Sequence, residues 1–235
     1  MAMKGLAKRT ERKEDLRRDI DTLKLHSLIG ILAGTCSDNI EAAKFRVASL
    51  AFVGAFKVSE LVPDNKEGGG CPKIISRSAW GAHATKCSTP LATPVANVII
   101  HHSAGPACNN RVKCTTIVKG IQRYHMDTNK WCDIGYSFVV GEDGSVFEGR
   151  GWKKIGTHAP PFNSKSIGIC VLGTFTSRAP SAAAQNAVKS LIKCGISKGF
   201  IRHNYDLRGH RNVGQTSCPG NSFYKIITKW AHFKP

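Results

Sequence analysis

The nine cysteines of this 235-residue chain constrain its fold more than any other feature. A count this high is unusual where thiols are kept reduced, so it indicates a protein that folds in an oxidising compartment and favours a secreted, extracellular one. Because the number is odd, at least one sulfur lies outside any intrachain disulfide. The sequence therefore predicts a disulfide-stabilised domain with one sulfur left for another role.

The chain divides into two regions at a stretch rich in chain breakers. Residues 63–70 contain Pro63, polar residues and three glycines, which predicts a linker. We interpret residues 1–70 as a partly helical extension of unknown role and residues 71–235 as one domain. The first residues carry many charges of both signs before a poor apolar stretch, so they do not form a clean signal peptide. No apolar run is long enough to predict a transmembrane helix.

Positive charge is concentrated in the second region. The chain has 34 Lys and Arg against 16 Asp and Glu, a formal charge of +18, and residues from Cys71 onward account for +16 of it. Such a surface attracts polyanions, among them nucleic acid, acidic glycans and the polymers of an anionic cell surface. No nucleic-acid-binding motif accompanies the charge, so we expect no nucleic-acid partner.

Strand and helix patterns alternate after Cys71. The β-branched runs at 95–102 and 166–173 predict buried strands, and the segments 115–126 and 181–198 have the apolar spacing of helices. Glu142-Asp143-Gly144-Ser145 predicts a hairpin turn. The sequence thus predicts an α/β domain in which a mixed central β-sheet is flanked by helices.

Two histidines and one cysteine form a candidate metal site. His101 ends a predicted buried strand, His210 follows in a loop, and Cys218 comes eight residues later, just before a predicted helix. A catalytic zinc ion takes three such ligands and keeps one position open. The helix start would lower the pKa of Cys218 and favour its thiolate. Two plainer interpretations remain open, since adjacent histidines are common and a buried cysteine often only fills space.

Several ordered motifs resemble the peptidoglycan recognition proteins, which are related to phage-lysozyme-type zinc amidases. The resemblance covers residues 71–235 and rests on VIIHHSAG, CTTIVKGIQRYHMDTNKWCDIGYSFVVGEDGSVFEGRGW, GTHA, SIGICVLGTF and GHRNVGQTSCPG. It implies an amidase-like domain whose zinc ligands are His101, His210 and Cys218. Members that keep all three are generally N-acetylmuramoyl-L-alanine amidases of innate immune defence against bacteria. Members that lose the cysteine bind peptidoglycan without cutting it, so a non-catalytic pattern receptor or bactericidal binding protein is the alternative.

The resemblance also assigns roles around the metal. It implies that Tyr136 and Thr216 are catalytic, although Tyr136 could be a strand core residue and Thr216 a simple cap. Trp152 could equally be a groove wall or core packing. The implied substrate-binding residues are His102, Ser103, His125, Trp131, Arg150, Trp152 and His158.

Two residues bear on which stem peptide is preferred. In the family a Gly-Trp pair before the CDIGY motif is typical of diaminopimelate binders and Asn-Phe of lysine binders; this chain has Lys130-Trp131. Trp131 fits the first class and Lys130 fits neither. Arg150 matches the arginine that pairs with the additional carboxylate of diaminopimelate, a role that suits a guanidinium fork. The diaminopimelate type is therefore weakly favoured.

The same resemblance implies three disulfides and leaves three cysteines outside them. The implied pairs are Cys108–Cys114, Cys71–Cys194 and Cys87–Cys132, while Cys218 is the metal ligand and Cys170 lies in a buried strand. Cys36 falls in the extension. Sequence alone does not establish this connectivity.

Overall fold

The computed structural model describes residues 71–235, so the expected extension at residues 1–70 and its linker at 63–70 lie outside the described residues. The strands are β1 (Ile74–Ile75), β2 (Val95–His102), β3 (Phe138–Val140), β4 (Val146–Glu148), β5 (Ser166–Val171) and β6 (Ile201–Gly209). The α-helices are α1 (Arg77–Trp80), α2 (Arg111–Arg123), α3 (Ala182–Ser197) and α4 (Asn221–Ile227).

A six-stranded mixed sheet forms the centre of the domain. Its order is β1-β4-β3-β5-β2-β6, and all neighbours are parallel except β3 and β4. The antiparallel pair is the predicted hairpin, in which Gly144 adopts φ of 83° at the turn. The α/β prediction is therefore confirmed, and the carboxyl ends of β2, β5 and β6 meet at one edge of the sheet.

The sheet separates two hydrophobic clusters because neighbouring side chains of a strand point to opposite faces. In β3, Phe138 and Val140 belong to the cluster that packs with α3 and α4. Val139 belongs to the cluster that includes Val118 of α2 and Trp80 of α1. Helices thus cover both faces, as the sequence predicted.

Strand β6 was not expected from the sequence. Its buried positions are Ile201, Tyr205, Leu207 and Gly209, and three exposed polar residues interrupt the alternation after Ile201. The register with β2 shifts at the same place, between Val95 and Asn97. A strand at the sheet edge with an irregular register gives a weak period-2 pattern, so the sequence does not predict this strand.

Three disulfides join the described cysteines, in the same pairs that the resemblance implies. They are Cys71–Cys194, Cys87–Cys132 and Cys108–Cys114. Among residues 71–235, Cys170 and Cys218 remain as buried thiols outside any bridge. Within the same residues no helix has the length and apolarity that crossing a membrane requires.

Candidate metal centre

The centre lies where β2 and β6 end side by side. His101 is the penultimate residue of β2, and a short 3-10 turn, His210–Asn212, follows β6 directly. The chain then returns so that the backbone N–H of Arg211 donates to the carbonyl of Cys218 at 2.9 Å. Two parallel strands and one returning loop therefore bring together residues that are more than 100 positions apart.

Three ligand atoms converge at this edge. One nitrogen each of His101 and His210 and the Sγ of Cys218 lie within 4.8 Å of one another. The Nδ1 of His101 is 3.9 Å from the Cys218 Sγ, and the two imidazole centroids are 4.5 Å apart. Two imidazole nitrogens and one sulfur are a donor set that zinc prefers. The residues present therefore fit a zinc ion with three protein ligands.

Burial keeps the two histidines in the form that can ligate a metal. Burial, and then the neighbouring His158, lower the pKa of His101 well below its usual value. Burial also lowers the pKa of His210. Both imidazoles are consequently neutral near pH 7, with a lone pair available for a cation.

The expected lowering of the Cys218 pKa by a helix start is wrong. Burial raises the pKa of this thiol to about 12, and the backbone N–H of His102, 3.3 Å from the Sγ, offsets only part of that. Helix α4 begins at Asn221, three residues after Cys218, so its dipole acts from a distance. A thiolate at this position would be stabilised by a bound cation rather than by the helix.

His158 contacts the imidazole of His101 on the side that faces away from Cys218. Its Nδ1 lies 3.1 Å from the Nε2 of His101, opposite the ring nitrogen that faces Cys218. Gly156 and Gly168 make room for it, because a Cβ on either glycine would lie 2.5 Å from the His158 ring. Among the described residues no partner is found for the buried Nε2 of His158. This residue was expected in the substrate groove, and its contact with a ligand histidine was not foreseen.

The metal centre opens into a pocket of about 210 Å³. Its lining residues are His101, His102, His125, Trp131, Tyr136, Thr157, His158, His210 and Cys218. Thr157 was missed, although it directly precedes His158 in the GTHA motif. The pocket therefore contains the candidate metal ligands and five of the residues that the sequence assigned to catalysis or substrate binding.

Tyr136 lines this pocket, and its ring is near the rings of two histidines. Its ring centroid is 5.4 Å from that of His101 and 5.7 Å from that of His125. Burial raises the pKa of Tyr136 well above its usual value, so the hydroxyl keeps its proton and can donate a hydrogen bond.

His125 and Trp131 form one wall of the pocket. Their rings are 4.6 Å apart, and the Nδ1 of His125 accepts the backbone N–H of Gly135 at 3.0 Å. Burial lowers the pKa of His125 to about 4, so this wall is neutral. His102 lines the pocket as well, but its Nδ1 is engaged by the backbone N–H of Phe175 at 3.2 Å.

Four residues predicted for the site lie outside the pocket lining. The Oγ of Ser103 accepts the N–H of Gly173 at 2.9 Å, which joins β2 to the end of β5. Thr216 is exposed, and its hydroxyl accepts the N–H of Cys218 at 3.1 Å. It does not cap α4, whose N-cap is Gly220. Trp152 packs at 4.4 Å from Phe138 in the α3-side cluster, so core packing is the interpretation that the structure shows.

Arg150 is the fourth residue outside the pocket lining, and its guanidinium donates hydrogen bonds to other residues of the protein. Its Nε donates to the carbonyl of Ile134 at 2.6 Å and its Nη1 to that of Ile155 at 2.7 Å. Its Nη2 donates to the Thr157 hydroxyl at 3.1 Å. The side chain is buried, with 6% exposure, and braces the pocket wall behind Thr157. A contact with a substrate carboxylate would require one of these hydrogen bonds to open.

Known proteins with similar sequences point to the same type of site. The family model for N-acetylmuramoyl-L-alanine amidases matches residues 91–221. Peptidoglycan recognition protein 1 of Bos taurus is 45% identical over 165 residues, which cover 70% of this chain and 87% of the bovine protein.

Two solved structures share the fold at similar identity. Bumblebee PGRP-SA matches with a TM-score of 0.69 and 43% identity, over 70% of this chain and 99% of that chain. Human PGRP-IBETAC, solved in complex with glycosamyl muramyl pentapeptide, matches with a TM-score of 0.68 and 44% identity, over 70% of this chain and all (100%) of that chain.

Proposed function

The chain belongs to the peptidoglycan recognition proteins, and on this premise we propose that it is a zinc-dependent N-acetylmuramoyl-L-alanine amidase. Its substrate is the amide that joins the lactyl group of N-acetylmuramic acid to the L-alanine of the stem peptide. The observation that carries the proposal is that ligand atoms of His101, His210 and Cys218 lie within 4.8 Å of one another in the lining of a pocket. A protein that only binds peptidoglycan has no need to keep this donor set.

The pocket residues have separable tasks in amide hydrolysis. His101, His210 and Cys218 would hold zinc, which when bound supplies a Lewis acid that polarises the carbonyl and activates water. The protonated Tyr136 hydroxyl donates a hydrogen bond to the carbonyl oxygen as negative charge develops on it. His125 and Trp131 provide a neutral, partly aromatic wall against which the substrate lies. Thr216 acts indirectly, by holding the backbone N–H of Cys218.

Substrate preference is the finer part of the proposal. We propose that the diaminopimelate type is preferred, because Trp131 lines the pocket and Arg150 stands immediately behind Thr157. The charge of +16 on residues 71–235 draws the domain to the carboxylates and phosphates of cell walls. We further propose that the protein is secreted and acts in antibacterial defence, since its three disulfides suit an oxidising compartment.

The test is digestion of purified muropeptides by the zinc-loaded chain. Mass spectrometry should find stem peptides with a free L-alanine N-terminus, released faster from diaminopimelate than from lysine muropeptides. The Cys218→Ser variant should lose this release by about 1,000-fold or more, because it removes one of three metal ligands, while still binding the muropeptide.

A matched control uses the other buried thiol. Cys170→Ser should retain stoichiometric zinc, since Cys170 is not one of the three converging ligands. Tight muropeptide binding without any release by the zinc-loaded wild type would reject the amidase and leave a binding protein. Faster release from the lysine type would reject only the stated preference.

A further inference from the structure

A second cavity, of about 370 Å³, lies between α3, β6 and the segment that follows α4. It shares no lining residue with the pocket at the metal centre. It also belongs to the side of the sheet that α3 and α4 cover, whereas α2 covers the other. Neither the metal centre nor its pocket accounts for this cavity, whose size is within the usual range for small-molecule sites.

The floor of the cavity is apolar and aromatic. Ile192 and Ile196 project from successive turns of α3, and Leu207 projects from β6. Trp230 forms one wall, and Tyr205 stacks on His232 at 4.5 Å to form another. A hydrocarbon chain could remove much of this surface from water.

The rim of the cavity is cationic. Lys189, Lys193 and Lys229 are exposed at its edge, and among residues 71–235 no acidic residue lines it. Within the described part of the chain none of the three forms an ion pair. Lys189 and Lys193 are four residues apart on one helix, where like charges repel. An anion bound between these lysines would relieve that repulsion. The charge pattern therefore favours a ligand with a negatively charged head group.

The cavity is bounded by hydrogen-bonded backbone. The N–H of Leu207 donates to the carbonyl of His232 at 2.8 Å, and the N–H of Lys234 donates to the carbonyl of Leu207 at 2.8 Å. The Nζ of Lys189 lies 5.1 Å from the Trp230 ring centroid, so a cation–π contact holds one rim charge over the wall. A pre-formed site of this kind binds with little ordering cost.

We propose that this cavity binds a long-chain alkyl carboxylate. The hydrocarbon tail lies on Ile192, Ile196 and Leu207, and the carboxylate lies among Lys189, Lys193 and Lys229. The site is independent of the amidase proposal, because the two pockets have no residue in common.

Titration calorimetry of the full chain with sodium dodecanoate, below its micelle concentration, tests the proposal. One saturable site per chain is expected, with affinity that increases from butanoate through octanoate to dodecanoate. The triple variant Lys189→Gln, Lys193→Gln, Lys229→Gln should bind dodecanoate about tenfold more weakly, since three partly screened charge contacts are lost.

A charge-matched control separates the rim from the net charge. The variant Lys73→Gln, Lys113→Gln, Lys153→Gln removes three exposed lysines elsewhere and should bind dodecanoate as the wild type does. Equal weakening in both triple variants, equal binding of dodecyltrimethylammonium, or the absence of saturation would overturn the proposal. So would adsorption to phosphatidylglycerol vesicles without saturable dodecanoate binding, because that result indicates a membrane-facing surface.

Discussion

Among single residues, the hydrogen-bonded pair of His101 and His158 orients the candidate metal centre. His101 directs one ring nitrogen toward the Cys218 Sγ and the other toward the Nδ1 of His158. If the first nitrogen held a metal, the second would carry the proton and donate a hydrogen bond to the Nδ1 of His158. Histidine ligands of metals are commonly held by such a partner, which fixes the tautomer and the orientation of the ring.

Removal of that partner should weaken zinc binding. His158→Ala is expected to raise the zinc Kd about 10- to 100-fold, since the ring of His101 loses its orientation. His125→Ala is the matched control, because His125 lines the same pocket but accepts a hydrogen bond from the backbone of Gly135. Competition with a chromophoric chelator measures both constants on folded protein. Equal zinc affinity of the two variants would show that His158 has no positioning role.

The sequence predicted the three converging ligands, because their residue types are chemically distinctive and their motifs are specific. It did not predict which neighbours would support them. The Nε of Arg150 donates to the carbonyl of Ile134, 16 positions away. The ring of Trp152 packs on that of Phe138, 14 positions away. A sequence pattern carries no information on such contacts. The sequence therefore identifies which residues belong to the motifs, but it does not predict what each side chain contacts.

At the scale of elements, the start of α3 is tied to the β3–β4 hairpin. The Oγ of Ser181 accepts the N–H of Ala184 at 3.1 Å and donates to the carbonyl of Glu142 at 2.6 Å. The N–H of Ser181 also donates to the Glu142 carboxylate at 3.0 Å. One serine therefore caps a helix and joins it to the turn across the sheet.

Loss of this cap should destabilise the domain measurably. Ser181→Ala is expected to lower the free energy of unfolding by about 1–2 kcal/mol, because an N-cap and one tertiary hydrogen bond disappear. Ser197→Ala near the end of the same helix removes only a bond to the carbonyl of Cys194 and should cost less than about 0.5 kcal/mol. Guanidinium unfolding monitored by circular dichroism compares them. Similar midpoints for the two variants would contradict the role assigned to Ser181.

Helices and strands with a strong hydrophobic periodicity were predictable from the sequence, and those with a weak periodicity were not. Strand β2 was predicted with the bounds that the structure shows, since its eight residues are almost wholly apolar and β-branched up to the histidines. Helix α2 begins at Arg111 rather than at Thr115, because Asn110 supplies the cap by accepting the N–H of Lys113 at 3.0 Å. It ends at Arg123 and continues as a π-helical turn over Tyr124–Thr128, which positions His125 in the pocket.

In the molecule as a whole, the central sheet contributes residues to two separate sites, the candidate metal centre and the lysine-rimmed cavity. Its carboxyl edge brings together the ligands from β2, the turn after β6 and the loop before α4, while disulfides and two clusters of apolar residues hold the helices in place. A separate surface, between α3, β6 and the segment after α4, presents a lysine-rimmed cavity. The proposed amidase site and the proposed alkyl carboxylate site share no lining residue, so substitutions can alter each independently.

We propose that the imidazoles of His101 and His210 and the sulfur of Cys218 share one zinc ion. X-ray absorption at the zinc edge, on the full chain with one equivalent of zinc, tests this claim directly. We predict one sulfur at about 2.3 Å and two imidazole nitrogens at about 2.0 Å in the first shell, with a fourth light atom from solvent. A first shell without sulfur, or with fewer than two imidazoles, would contradict the account.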